Sequence, residues 1–303
     1  MKKMKAVFSL ILVIAMIGVF TGCSNNDDTN TTPSNQQQDN QQAQQPNNPQ
    51  PNTPPANQGT NNLSGPVTIS GSTSVEKVGV ETAEEFMALN PNVVITYESI
   101  GSGGGITNGN ERVTNIGATS RDLKSNEKEF GLVEKVIAYD GIAVITHPSN
   151  PVEGLTKEEV RKIYAGEITN WSEVGGKNES IMVVSREAGS GTRGAYEEIM
   201  NFELVSTATV AEGNGNVQST VAGNPQAIGY VSFTYINDTI KPLNVDGYPP
   251  TVEDVLANRY TVARPFIYVY HEDNMNDAAK AYIEFVMGDG QKIVESLGGI
   301  PVN

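Results

Sequence analysis

The chain has one cysteine, one tryptophan and two histidines in 303 residues. The lone Cys23 rules out an intrachain disulfide. His147 and His271, with no second thiol, do not make up the usual ligand set of a zinc site. No metal or cofactor is therefore expected. Basic residues are also scarce, with 20 Lys and Arg against 35 Asp and Glu, for a formal net charge of −15. This balance, without any basic patch, argues against a nucleic-acid partner. An anion bound here must be held by local donors, because the overall field repels it. The single Trp171 and eight phenylalanines offer few surfaces for sugar stacking, which argues against glycoside cleavage. Both histidines read as surface or strand-end residues, which argues against a Ser-His-acid hydrolase. Gly189-Ser190-Gly191 is too tight for a nucleophile elbow.

The first 62 residues differ from the rest. Met1 to Lys5 carries three lysines, Ala6 to Phe20 is almost wholly apolar, and Thr21-Gly22-Cys23 follows. That layout reads as a signal peptide over 1–22. Its apolar core, about 15 residues, is short for a membrane span. A weakly spanning N-terminal anchor is the alternative. Residues 24–62 are nearly all Asn, Gln, Thr, Pro, Asp and Ser with no aromatic. Such a segment cannot bury enough to fold and reads as a disordered stalk.

From about Leu63 onward, strand-like and helix-like runs alternate. Val67 to Ser70 is a strand, Gly71-Ser72-Thr73-Ser74 a turn, and Val75 to Leu89 a helix with Val78, Thr82, Phe86 and Leu89 at helical spacing. Thr73 and Glu76 fit a capping box. Val93 to Tyr97 is a second strand, and Gly101-Ser102-Gly103-Gly104-Gly105 a flexible glycine turn leading into Ile106. Ile181 to Ser185 is a third strand. It ends in Arg186-Glu187-Ala188-Gly189-Ser190-Gly191-Thr192-Arg193 and opens into a helix. A strand that turns into a helix points free N–H groups and the helix dipole at one spot, a ready anion site. Any one such turn is ordinary, but three of them rich in hydroxyl donors suggest a shared anion. A fourth segment, Asn115 to Asp122, ends a short strand in Thr119-Ser120-Arg121. None carries the Gly-Lys-Ser/Thr ending of nucleotide phosphate loops, and no dinucleotide fingerprint is present. Thr156 to Glu159 caps a helix through Tyr164, Trp171 and Tyr230 read as packing residues, and Asp277 to Met287 reads as an amphipathic helix.

These segments, in this order and spacing, resemble the substrate-binding lipoprotein of bacterial ABC phosphate importers. Ile163 to Trp171, Ala227 to Val231, Gly290 to Val294 and Gly299 to Pro301 are similar as well. The likeness runs from about Pro66 to Val302. It implies an α/β, two-lobed periplasmic-binding-protein-like fold of type II, with a ligand cleft between lobes joined by crossover strands. Lobe I is expected at 64–144 and 265–303, and lobe II at 145–264. The crossings would be Tyr139 to Thr146 and Thr261 to Tyr270. Phe20 to Cys23 resembles a lipobox, with Phe20 where Leu is usual, so the resemblance implies a lipid on Cys23 and an extracytoplasmic, membrane-tethered protein.

The resemblance also implies a function: capture of inorganic phosphate for an ABC permease and ATPase, by a monomer without catalytic activity. Its ligand positions fall on Thr73, Ser74, Ser102, Ser120, Arg186, Ser190, Gly191 and Thr192. Ser72, Gly103 and Arg121 are further candidates, with Arg121 either binding or pairing with Asp122. Ser120 departs from the pattern. The best-known relatives have an Asp there that accepts the proton of bound phosphate and repels proton-free sulfate. Glu76, Glu98 or Glu187 are the substitutes to consider. The alternatives are another tetrahedral oxyanion (sulfate, molybdate or tungstate) and a sensor or interaction protein that does not transport.

Overall fold

A computed structural model describes residues 63–302. The expected signal peptide, Cys23 and the stalk lie outside the described residues. The first strand, β1 (Gly65–Gly71), is followed by α1 (Glu76–Leu89), β2 (Val93–Ser99), α2 (Gly101–Asn110) and β3 (Ile116–Thr119). Strand β1 pairs in parallel with both β2 and β3. Parallel neighbours need a crossover, and a helix supplies each one. The long strand β4 (Val133–Thr146) comes next, then α3 (Lys157–Tyr164), β5 (Met182–Arg186) and α4 (Gly191–Met200). After these come β6 (Thr209–Ala211), α5 (Gly213–Ala222), β7 (Ala227–Ser232), β8 (Ala263–Tyr270) and α6 (Asp277–Met287).

One curled sheet runs in the order β2-β1-β3-β8-β4-β7-β5-β6. Strand β4 is its spine. Val133 to Gly141 pairs antiparallel with β8, and Ile142 to Thr146 pairs antiparallel with β7. The β4–β8 register slips between Phe266 and Ile267, a bulge that bends the pair. Two large hydrophobic cores hang on this spine, with a small third cluster of Ile106, Leu123, Ile267 and Val269. One holds Val67 to Ala138 and resumes from Phe266 to Val294. The other runs from Ile142 to Val262. Between them, at the crossing, lie two buried charges, Asp140 and Arg264, which face each other in the strand register. The protein is thus an α/β fold of two lobes joined by crossover strands.

Three local expectations need correction. The Thr73–Glu76 capping box does not form: α1 starts at Glu76 with no side-chain cap. A turn closed by Val75 N donating to Ser72 O precedes the helix, and the Thr73 hydroxyl serves other donors, described below. Leu89 is not core but 62% exposed. The glycine run at 101–105 is not a flexible turn but the start of α2. Glycine disfavours helix by about 1 kcal/mol relative to Ala. Packing explains its use at Gly105, where a Cβ would lie 2.6 Å from both Gly71 Cα and Ser70 O. The helix backbone therefore rests directly on β1, which brings its first residues to the strand ends.

The structure agrees elsewhere. Thr156 caps α3 through a capping box with Glu159, and Trp171 is buried with its indole N–H donating to Gln226 O at 2.9 Å. Tyr230 stacks on Tyr196 with ring centroids 4.1 Å apart. Among the described residues, no helix is long and apolar enough to cross a membrane.

Candidate functional site

Arg186 ends β5 and is 1% exposed. A buried guanidinium needs partners for its charge and its five donors. Glu187 takes Nε at 2.8 Å and Nη2 at 2.7 Å, a bidentate pair. Nη1 donates to Thr192 Oγ1 at 3.3 Å, and Nη2 also donates to Thr73 Oγ1 at 3.1 Å. Burial pushes the Glu187 carboxyl up, but the hydrogen bonds and charge of Arg186 outweigh it and hold the group below the ordinary range. Beneath Arg186, Tyr230 shares a 2.8 Å hydrogen bond with Ser185 Oγ and accepts from Arg186 N at 3.3 Å. Burial pushes its phenol up to about 12, so it stays neutral.

The chain then turns at Ser190, whose Oγ caps α4 by accepting from Arg193 N at 3.2 Å. Gly191 and Thr192 open that helix. Gly191 must be glycine for reasons of space, since a Cβ would lie 2.1 Å from Ser102 Oγ and 2.7 Å from Ser120 Oγ. The backbone at Gly191 thus lies against the Ser102 and Ser120 hydroxyls with no room for a side chain.

Ser72, Thr73 and Ser74 follow β1, Ser102 opens α2, and Ser120 follows β3. Their hydroxyls converge on the 186–192 loop. Ser74 Oγ lies 2.8 Å from Thr192 Oγ1, and Ser102 Oγ lies 3.3 Å from Ser120 Oγ. Ser72 Oγ donates to Ser120 Oγ at 2.8 Å. Eight expected positions, Thr73, Ser74, Ser102, Ser120, Arg186, Ser190, Gly191 and Thr192, therefore gather in one place. So does Ser72, behind Ser120. Gly103 is close by, but its N–H is committed to Gly189 O at 3.1 Å.

Arg121 is placed differently. Its guanidinium makes a bidentate pair with Glu127 at 2.7 and 2.8 Å and donates to Asp122 O at 2.8 Å. It does pair, but with the Glu127 carboxylate instead of that of Asp122. The reason is geometric: the short helix Ser125–Lys128 folds Glu127 back over the strand end. The carboxylate substitutes considered for Ser120 fare no better. Glu187 is taken by Arg186, Glu76 lies 3.4 Å from the Tyr235 hydroxyl, and Glu98 is exposed.

Sequence reasoning missed three residues. Asn214 opens α5 and donates to Thr73 Oγ1 at 3.1 Å and to Ser74 Oγ at 2.9 Å. Its signal was readable: Thr209 to Ala211 followed by Gly213-Asn214-Gly215 is another strand, glycine turn and helix. Arg264 on β8 donates to Ser74 Oγ at 2.9 Å and Ser120 Oγ at 3.1 Å. Asp140 on β4 pairs with Arg264 at 2.9 Å, with side chains 0% and 2% exposed respectively. Asp140 also accepts from Ser232 Oγ at 2.8 Å and Phe233 N at 3.2 Å. Burial pushes the Asp140 carboxyl up, and the Arg264 charge pulls it back. The only sequence signal for the pair is a lone charge in each apolar crossing run. Four helix starts and two compensated guanidiniums thus surround one polar centre. That is chemistry for gripping a small oxyanion.

Comparison with known proteins agrees. A family model described as the PBP superfamily domain matches residues 34–289. The phosphate-binding protein PstS of Bacillus subtilis is 29% identical over 310 residues, covering 100% of this chain and 95% of that protein. PstS of Borreliella burgdorferi is 31% identical over 246 residues, covering 77% of this chain and 88% of that protein. Among solved structures, one from Clostridium perfringens is described as a phosphate ABC transporter substrate-binding protein with bound phosphate. It is 48% identical, covers 79% of this chain and 100% of its own, and superposes with a TM-score of 0.78. On these matches the chain belongs to the PBP superfamily and, within it, to the family of bacterial PstS substrate-binding proteins.

Proposed function

We propose that this protein captures inorganic phosphate outside the cytoplasm and hands it to an ABC importer. It does so as a monomeric receptor without catalytic activity. The observation that carries the reading is the convergence of Thr73, Ser74, Ser102 and Ser120 from one core with Arg186, Ser190, Gly191 and Thr192 from the other. A tetrahedral oxyanion needs donors from several directions, and hydroxyls, N–H groups and one guanidinium supply them without a basic field. We place lobe I at 64–144 and 265–303 and lobe II at 145–264. On this division Ser74–Thr192 and Arg186–Thr73 are contacts between lobes, and the anion would be enclosed by hinge closure. A lipid on Cys23 would tether the receptor, with the 24–62 stalk giving it reach. The names of the relatives support phosphate as cargo and an ABC permease as the partner.

Titration calorimetry of the purified chain with phosphate, sulfate, molybdate and arsenate tests this. A saturable heat with phosphate is expected, and none at millimolar ligand overturns it. One observation favours a second reading, a broader oxyanion receptor: Ser120 carries no charge to repel sulfate. Comparable affinities for sulfate and phosphate would establish that reading.

A further inference from the structure

Arg264 lies outside every motif that pointed to the site, yet its guanidinium reaches two of the cleft hydroxyls. Buried ion pairs are weak sources of stability, so the placement of this one asks for another role. A hydroxyl has one proton to give and two lone pairs to fill, whereas guanidinium and backbone N–H groups only donate. Ser74 Oγ accepts from Arg264 Nη2 and from Asn214 Nδ2, each at 2.9 Å. The Asn214 amide is oriented by its own oxygen, which accepts from Ser232 N at 3.1 Å. With both lone pairs filled, Ser74 gives its proton to Thr192 Oγ1 at 2.8 Å. Thr192 Oγ1 also accepts from Arg186 Nη1 at 3.3 Å, so the Thr192 proton is left over.

The same logic runs through Ser120. Its Oγ accepts from Arg264 Nη1 at 3.1 Å and from Ser72 Oγ at 2.8 Å. Its proton therefore goes to Ser102 Oγ at 3.3 Å. Ser102 Oγ also accepts from Ser120 N at 3.0 Å, and its own proton is left over in turn. Thr73 Oγ1 accepts from Arg186 Nη2 and Asn214 Nδ2, both at 3.1 Å, leaving a third. The nearby carboxylates already hold other donors. Asp140 is spent on Arg264, Ser232 and Phe233 N. Glu187 is spent on Arg186 and Gly213 N.

We propose that Arg264 is a positioning residue for the anion. From the crossing strand it fixes the hydrogen-bond direction of Ser74 and Ser120, so that Thr192 and Ser102 present protons to the ligand beside Thr73, which Arg186 and Asn214 orient. The result is a cage of donors that reads charge. It prefers the dianion of phosphate to the monoanion, whose extra proton finds no free lone pair on Thr73, Ser102 or Thr192, and it does not repel proton-free sulfate. This rests on the phosphate reading above. The titratable and charged groups around the cage are Glu187 on Arg186, Asp140 on Arg264, and Glu76 with Tyr235 beside Thr73. Further members are Tyr97 below Ser72, Tyr230 below Arg186, Arg193 on the Arg186 carbonyl with Glu197 paired to it, Lys77 over the Tyr235 ring, and the Arg121–Glu127 pair near Gly194.

The test is calorimetry on the full chain at about pH 5 and about pH 8. These lie either side of a phosphoryl group's second ionisation, about 6 in an ester. Sulfate keeps its charge over this range, so its pH response reports titration of the protein alone. Relative to sulfate, phosphate should bind about tenfold or more weakly at the lower pH, on the scale of one charged hydrogen bond. Ser120→Ala, which leaves the buried pair intact, and the double variant Arg264→Met with Asp140→Asn should each weaken phosphate about tenfold at the higher pH. Both should also shrink the sulfate-referenced pH response. An equal phosphate affinity at both pH values after that correction overturns the proposal. So does a folded Ser120→Ala protein with the wild-type pH response. A wild-type chain with no phosphate heat at either pH removes the phosphate reading itself, a separate outcome.

Discussion

Arg186 and Arg264 are both buried guanidiniums, each matched to one carboxylate, and both donate to the same ring of hydroxyls. They differ in where the counter-charge comes from. Glu187 is the next residue after Arg186, and its side chain is 26% exposed. Asp140 is 124 residues from Arg264 and fully buried. The first pair is a local device on a loop that water still reaches. The second is a non-local device at the crossing of the two strands that join the cores. Removing a partner from each should therefore have different consequences.

The largest effect is expected at Asp140. Asp140→Ala leaves the Arg264 charge buried and unpaired, a loss of about 3–5 kcal/mol of unfolding free energy on the usual scale for a broken buried pair. Denaturant melts would read it, and a loss below about 1 kcal/mol would erase the contrast with Glu187. Arg186→Ala comes next. It removes the directional charged donor, so phosphate affinity should fall at least about tenfold, or about 1.5–3 kcal/mol, by calorimetry on a protein that still melts cooperatively. Gly191→Ala forces a methyl onto Ser102 Oγ. We expect about 1–3 kcal/mol of overpacking, visible as weakened phosphate binding if the clash falls on closure. Unchanged affinity would mean that the lobes meet differently when the ligand is held.

Glu187→Gln should be the mildest. A solvent-screened pair contributes at most about 1 kcal/mol. Its signature is in the pH profile. The folded carboxyl sits below its ordinary value, near 4.3 for a free Glu, so its contribution is present above that value. The contribution is lost as pH falls through the lower folded one. The variant should lose up to about 1 kcal/mol near neutrality, where the contribution is present, and converge on the wild type as pH falls below the folded value, so its profile is flatter on the acid side. A wild-type profile already flat there would show that Arg186 does not depend on this neighbour.

The same contrast explains what could be read in advance. The 186–193 loop was legible because strand, glycine turn and helix follow one another within a few residues. The bounds of α6, the cap of α3 and the burial of Trp171 were legible for the same local reason. The Thr73 cap failed because Arg186 and Asn214, distant in sequence, claim its hydroxyl. The glycine run at 101–105 reads as a loop because the reason for Gly105, β1 beneath it, lies far away in the sequence. Arg121 has an acidic neighbour in sequence, Asp122, but the helix Ser125–Lys128 brings Glu127, six residues on, back onto it. Asp140 and Arg264 were each a lone charge in an apolar run, and only the β4–β8 register makes them a pair.

By itself, the sequence determined that the chain alternates strands and helices, that hydroxyl-rich turns open several of those helices, and that any anion must be met by local donors. These are properties of neighbouring residues, set by backbone geometry, capping and composition. Only the tertiary structure decided which lone pairs are filled and which protons are left for a ligand. A hydroxyl has no fixed direction of its own; it takes one from donors that the fold brings to it, here guanidiniums from β5 and β8 and an amide from the start of α5.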